Sequence, residues 1–237
     1  MLVVDLLHEF ELGVWCMLLV HLLRILTSIN KDLVHELDKR YRQVPPFGPA
    51  TIRRFSSNTS EMSNMAARNF EDILQCSIPV FDGLLPNDDH NKIVINLLLT
   101  MSHWHGLAKL RMHSDLTLSI LDQLTTDLGT QFHLFNDRVC PSYLTQELYR
   151  EVGAQSRRQT KEAAKRAENQ TRRNKLFNFR TYKFHVLGDY VASIHHFGTT
   201  DSYSTEPVSC RLLSMYTNSF FSGRARALYT ERQIPSY

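Results

Sequence analysis

Residues 2–26 read LVVDLLHEFELGVWCMLLVHLLRIL. The stretch has no proline and one glycine. Leu6, Phe10, Trp15, Leu18, Leu22 and Leu26 recur close to every 3.6 residues, which predicts a helix over Leu2–Leu26. After Leu12 it is apolar on nearly every side, so it should be a central element of the fold. Asp5, His8, Glu9 and Glu11 interrupt its start, which lacks the basic opening and unbroken apolar core of a signal peptide. The longest stretch without Lys, Arg, Asp or Glu is Ile93–Ala108, 16 residues. That is short of the roughly 18 apolar residues that span a bilayer. Both stretches read as buried core helices, and no membrane partner is expected.

Working outward, Thr27-Ser-Ile-Asn30 supplies a break, and Asn30 can cap a second helix, Lys31–Val44. Val44-Pro-Pro-Phe-Gly-Pro49 forbids helix, because proline removes a donor and biases the residue before it toward extended backbone. Ser60 can cap a helix over Glu61–Leu74. After GLLPNDD (Gly83–Asp89) a long helix is predicted from about His90 to Met112. Ser114 opens another over Asp115–Phe135, Cys140-Pro-Ser breaks it, and Thr145 can cap a helix running on from Gln146. Phe179–Phe197 returns to helical apolar spacing. No alternating strands with hairpin turns occur. The fold class read from this is all-α, an irregular bundle of about six or seven helices. Four regions follow: a helical region over 1–155, a basic helix or linker over 156–175, a last helix within 176–206, and a tail over 207–237. The tail holds no Lys and no Asp, has no periodicity, and reads as disordered.

The chain has 237 residues, 43% of them hydrophobic and 22% charged, which suits one globular domain with appendages. Its formal charge of +3 does not by itself indicate a nucleic-acid partner. The distribution is more telling. Ser156–Lys175 holds Arg157, Arg158, Lys161, Lys165, Arg166, Arg172, Arg173 and Lys175 against only Glu162 and Glu168. Such a run can contact duplex DNA through phosphates and counterion release, or it can simply be a solvated helix. No aromatic residue interleaves it, which disfavours base stacking there. Cys16, Cys76, Cys140 and Cys210 form no CxxC pair, so neither a zinc knuckle nor a disulfide framework is expected. A reducing compartment, nucleus or cytoplasm, suits them.

Asp5, His8 and Glu9 stand at i, i+3 and i+4 and would share one helix face, where a carboxylate and an imidazole can ligate a metal together or orient one another. A surface ion pair satisfies the same spacing. The histidines of His103-Trp104-His105 point to different faces, which favours Trp104 in the core with both histidines partly exposed. No GxxxxGK[ST], GxSxG or HExxH motif is present, and no histidine neighbours Cys140 in sequence. The cluster of Asp5, His8 and Glu9 is therefore the enzymatic lead.

Asp5-Leu-Leu-His-Glu-Phe-Glu-Leu-Gly-Val-Trp15 resembles a signature of Plavaka-type transposases, a fungal branch of the CACTA-like DNA transposons. The resemblance extends through Phe47–Phe55, Ser60-Glu-Met, Ala66–Cys76, Trp104–His113, the Arg157-Arg158 helix, Tyr182 to Gly188-Asp-Tyr, and Phe197-Gly-Thr-Thr-Asp201. It covers roughly residues 2–206. It implies RNase H-like chemistry, in which three acids hold two divalent ions, Mg2+ or Mn2+, that activate a hydroxyl for attack on a DNA phosphodiester. Asp5 and His8 match a D-x-x-H element that lies downstream of the family's second catalytic acid. The first two acids and the RNase H-like sheet would then lie before Met1. The third acid has no match here, and Asp115 is not assigned to it. After Pro207 the chain departs from the family pattern.

Three readings compete. In the first, the chain is a fragment or relic of such a transposase, with no catalysis and no cofactor of its own and with weak non-specific affinity for duplex DNA. In the second, it is a transposase-derived helical protein reused as an interaction partner. In the third, it is an active metal-dependent enzyme. Without a sheet, the apolar positions Trp15, Met17, Leu18 and Leu22 must find helix partners or drive self-association through an exposed face. Packing of Leu2–Leu26 against the Trp104 helix is the expected solution.

Overall fold

The computed structural model describes residues 4–48, 51–62, 65, 67–158 and 172–199. The basic stretch 159–171, the tail from residue 200 onward, and Leu2 and Val3 lie outside them. The chain is all-α, and no strand occurs among the described residues.

The first helix, α1, runs over Leu6–Ile29. Its first part, Leu6–Trp15, is π-helical, and Cys16–Ile29 is α-helical. It runs on to Ile29 and breaks at Asn30, within the predicted break but later than Leu26, because the Thr27 and Ser28 hydroxyls donate back to the carbonyls of Leu23 and Ile25 instead of competing with the helix. By length and composition it could cross a membrane, but here Phe10, Val14, Trp15, Leu18, Leu19 and Ile25 are fully buried by other helices.

Asn30 caps α2 (Lys31–Gln43) as the sequence suggests, its side chain accepting from the Asp32 amide at 3.0 Å. The proline turn that follows closes on a single Phe47–Ile52 bridge. The third helix is later than predicted. Ser60 does not cap it, because the buried Asp38 carboxylate takes both the Ser60 amide (2.8 Å) and hydroxyl (2.6 Å). Thr59–Glu61 makes only a 3-10 turn, which ends at Met62 with φ 46°, and α3 spans Ala67–Gln75.

A short α4 (Ser77–Phe81) leads to α5 (Asp88–Ala108), capped by Asn87, and α6 (Asp115–Leu134), capped by Ser114 in a reciprocal box with Thr117. A π turn, Phe135–Val139, extends α6 to Cys140-Pro-Ser142. Thr145 does not cap the next helix. Residues 145–147 instead pair antiparallel with 173–175 (Glu147 N to Arg173 O 2.9 Å, Lys175 N to Thr145 O 2.9 Å), so α7 begins only at Tyr149 and runs to Arg158. The chain finishes with α8 (Tyr182–His185), a 3-10 turn over Val186–Asp189, and α9 (Tyr190–Phe197).

The core is one cluster centred on α1 and α5, and α6 folds back along α5. Phe10 stacks on Trp104 with ring centroids 4.6 Å apart, so α1 packs on the Trp104 helix as expected. Trp15, Leu18 and Leu22 are buried, and α1 offers no bare apolar stripe there. Exposed apolar residues gather instead at Met112, Leu116 and Ile120, where α6 begins. Truncating Phe10 to Ala removes a fully buried ring and its stacking partner, and should cost about 3–5 kcal/mol in urea unfolding. Phe47→Ala, at a position 68% exposed, should stay within about 0.5 kcal/mol of the parent.

Candidate functional site

Asp5 and His8 are brought together at the entry to α1, the imidazole Nδ1 2.5 Å from the carboxylate. Asp5 is mostly covered and His8 is more than half exposed. The carboxylate thus bonds the imidazole and does not cap the helix backbone. No group of three or more His, Cys, Asp or Glu side chains that could hold a metal occurs among the described residues. Asp115 sits in the exposed first turn of α6 and joins no such group.

The helix that carries this pair has a built-in constraint at Gly13. A Cβ there would fall 2.8 Å from Lys183 Cδ and 2.9 Å from the His8 carbonyl oxygen. Lys183 uses the space, reaching from α8 to donate to that same carbonyl at 2.8 Å. The His8 turn is thereby tied to a segment 175 residues further along the chain.

One turn deeper lies a polar centre that sequence reading missed. The Glu11 carboxylate, nearly wholly buried, accepts from His105 Nε2 at 2.9 Å. Lys109 stands 3.9 Å from Glu11 and 2.9 Å from Glu71. Burial pushes the Glu11 carboxyl up, against the opposing pull of His105 and Lys109. His105 is therefore a buried member of an ion network, whereas His103 is exposed as expected. The only sequence signal was a Glu out of place in an apolar stripe.

A second histidine behaves differently. His21, fully enclosed on α1, faces the edge of Phe135 and lies against Phe177, and its Nε2 is 3.5 Å from Cys140 Sγ. The fold thus supplies the histidine that Cys140 lacks in sequence, but in the wrong electrostatic state for a nucleophile. Burial, helped by Arg24, pushes the imidazole down to about 4. Burial, helped by Asp137, pushes the thiol up to about 12. Both groups are neutral near pH 7, whereas a reactive cysteine needs its thiolate.

Of the candidate DNA contacts, Arg157 and Arg158 end α7, and Lys161, Lys165 and Arg166 lie outside the described residues. Arg172 is engaged internally, donating to the Glu147 carbonyl and lying 4.7 Å over the Tyr149 ring. Arg173 is exposed, and Lys175 pairs with Glu147 at 3.2 Å. Comparison with family models, with curated proteins and with solved structures finds no match to this chain.

The acid response follows from His21. Its folded-state pKa lies below its unfolded value of 6.5, so the unfolded chain binds more protons between pH 6.5 and about 4. Stability should fall as pH drops through that window, by up to about 3 kcal/mol. Glu11, raised above 4.5, pulls the opposite way as pH rises, so the informative measurement is a difference. In urea titrations at several pH values, His21→Leu should lose less stability than the parent between pH 6.5 and 4.

Proposed function

We propose that this chain is the helical, DNA-binding part of a Plavaka-type transposase that follows the D-x-x-H element, contacting duplex DNA through its phosphates and making no strand cut alone. One observation supports the reading above the others. Five of the separated segments on which the resemblance rests touch one another. Trp15 of the first donates to the Phe70 carbonyl of the Ala66–Cys76 segment at 2.8 Å. Arg53 of the Phe47–Phe55 segment pairs with Asp72 of that same segment at 2.9 Å. Glu11 meets His105 and Lys109 of the Trp104–His113 segment. Tyr190 packs on Trp104 at 5.0 Å and donates to the Ala108 carbonyl at 3.1 Å. Motifs scattered along a chain that converge on one centre behave as parts of one inherited fold. A reducing compartment, nucleus or cytoplasm, goes with this reading, and Mg2+ or Mn2+ chemistry comes with it as a property of the complete enzyme.

The Asp5–His8 pair supports a second reading, because a carboxylate that orients an imidazole is what a metal-binding turn uses. The two readings separate in solution. Under the first, binding of mixed-sequence duplexes weakens steeply with NaCl, with a log–log slope of about −0.9 per phosphate contacted, and does so alike for unrelated sequences. Replacing Arg157, Arg158, Lys165 and Arg166 together by Ala should flatten that slope by up to about 3–4. An unchanged slope, or no binding at low salt, overturns it. Mg2+- or Mn2+-dependent cleavage that disappears in Asp5→Ala would replace it with the second.

A further inference from the structure

The segment Arg172–His185 has a pattern that the basic run before it lacks. Arg172, Arg173, Lys175, Arg180 and Lys183 alternate with Phe177, Phe179, Tyr182 and Phe184, and no acid intervenes. Cations interleaved with rings are what a single nucleic-acid strand uses, with phosphates following the charges and bases stacking on the rings. The fold turns this pattern into a cavity. From the bridge at Asn174 the segment crosses the C-terminal half of α6. Phe179 and Phe184 meet at 75° with centroids 6.3 Å apart. Phe184 stands edge-on to Phe132 at 4.9 Å, and Phe179 edge-on to His133 at 4.9 Å. These rings enclose about 140 Å³, open on one side, with His133, His185 and Gly129 in its lining. Apart from its chain neighbours and its own helix backbone, no heavy atom lies within 4 Å of where a Gly129 Cβ would stand.

Size and chemistry narrow the occupant. A closed apolar cavity of about 150 Å³ holds one benzene ring; this cleft, open to solvent, is of similar size and has room for a single planar ring. A hydrocarbon ring would need no polar rim. Two exposed imidazoles at the mouth instead offer hydrogen bonds to carbonyl and amino groups on a ring edge. The side chains of Arg173 and Arg180 reach solvent on the segment that forms the wall. The acids on the surrounding elements, Asp122, Asp127 and Asp189, are likewise exposed and do not line the slot.

We infer that this slot holds one unpaired, pyrimidine-sized nucleobase of a DNA strand, the strand's phosphates meeting the exposed Arg173 and Arg180, since Arg172, Lys175 and Lys183 already have internal partners. The inference rests on the DNA-binding reading above and adds a strand-specific site to it. The test uses the full chain and fluorescence anisotropy with three labelled probes: a thymidine strand of about a dozen nucleotides, the same strand with abasic central positions, and a blunt duplex. Gly129→Leu fills the slot while replacing a glycine by a better helix former on an exposed helix face, so the fold is kept. Phe184→Ala removes a wall, and circular dichroism reports whether each variant is folded.

The thymidine strand should bind about tenfold or more tightly than the abasic strand. Gly129→Leu should abolish that difference and leave duplex affinity unchanged. Equal affinity for thymidine and abasic strands, or a Gly129→Leu variant that still distinguishes them, overturns the slot. Thymidine monophosphate displacing the strand at equimolar concentration overturns the strand assignment in favour of a mononucleotide site. Duplex binding that persists through such a failure leaves the transposase reading standing, whereas loss of all DNA binding removes both.

Discussion

A carboxylate in the middle of an apolar helix must be met by a partner or be expelled, and on α1 Glu11 is met by His105. Losing one member of such a buried pair typically costs about 3–5 kcal/mol, because the other is left uncompensated, although a well-packed apolar replacement of both can be neutral. The pair thus does less for total stability than for uniqueness. An apolar rod such as Leu6–Ile29 could rotate or slide against α5 with little change in buried area. With Glu11 seated on His105, Phe10 lies over Trp104, Trp15 reaches the Phe70 carbonyl, and Lys109 is placed between Glu11 and Glu71. Three segments of the chain are registered around one polar contact.

The same helix keeps its two ends chemically distinct. Its entry is open to water, where Asp5 holds His8, and Lys183 fixes the carbonyl beneath. Its second half is dry, and there the histidine is driven neutral. His21 beside Cys140 resembles a catalytic dyad in outline, yet burial raises the thiol and lowers the imidazole, the reverse of what nucleophilic attack requires. Proximity alone does not make a site; the local dielectric sets which protonation states are available.

Local signals were the most readable. Asn30 and Ser114 each cap the helix that their position in sequence suggests, because a cap bond spans only two or three residues. The two failures have one cause. Ser60 and Thr145 have the side chains of N-caps, but distant partners took their hydrogen bonds: Asp38 in the first case, the strand-like 173–175 segment in the second. A propensity is a weak preference that a long-range contact outweighs. The π-helical start of α1 was equally hidden, since the same apolar residues satisfy either helical hydrogen-bonding pattern. Asp5 and His8 could be read as a pair because they are three residues apart.

The amino-acid order by itself determined an all-α chain, most of its helix starts and stops, a central apolar helix, and the Asp5–His8 pair, all of which depend on neighbours within a turn or two. Tertiary structure alone decided that Glu11 would meet His105 across 94 residues, that His21 would meet Cys140 across 119, and that Phe132, Phe179 and Phe184 would enclose a slot. Those partners are selected by burial, which brings together side chains that no local pattern connects, and burial also holds His21 and Cys140 neutral.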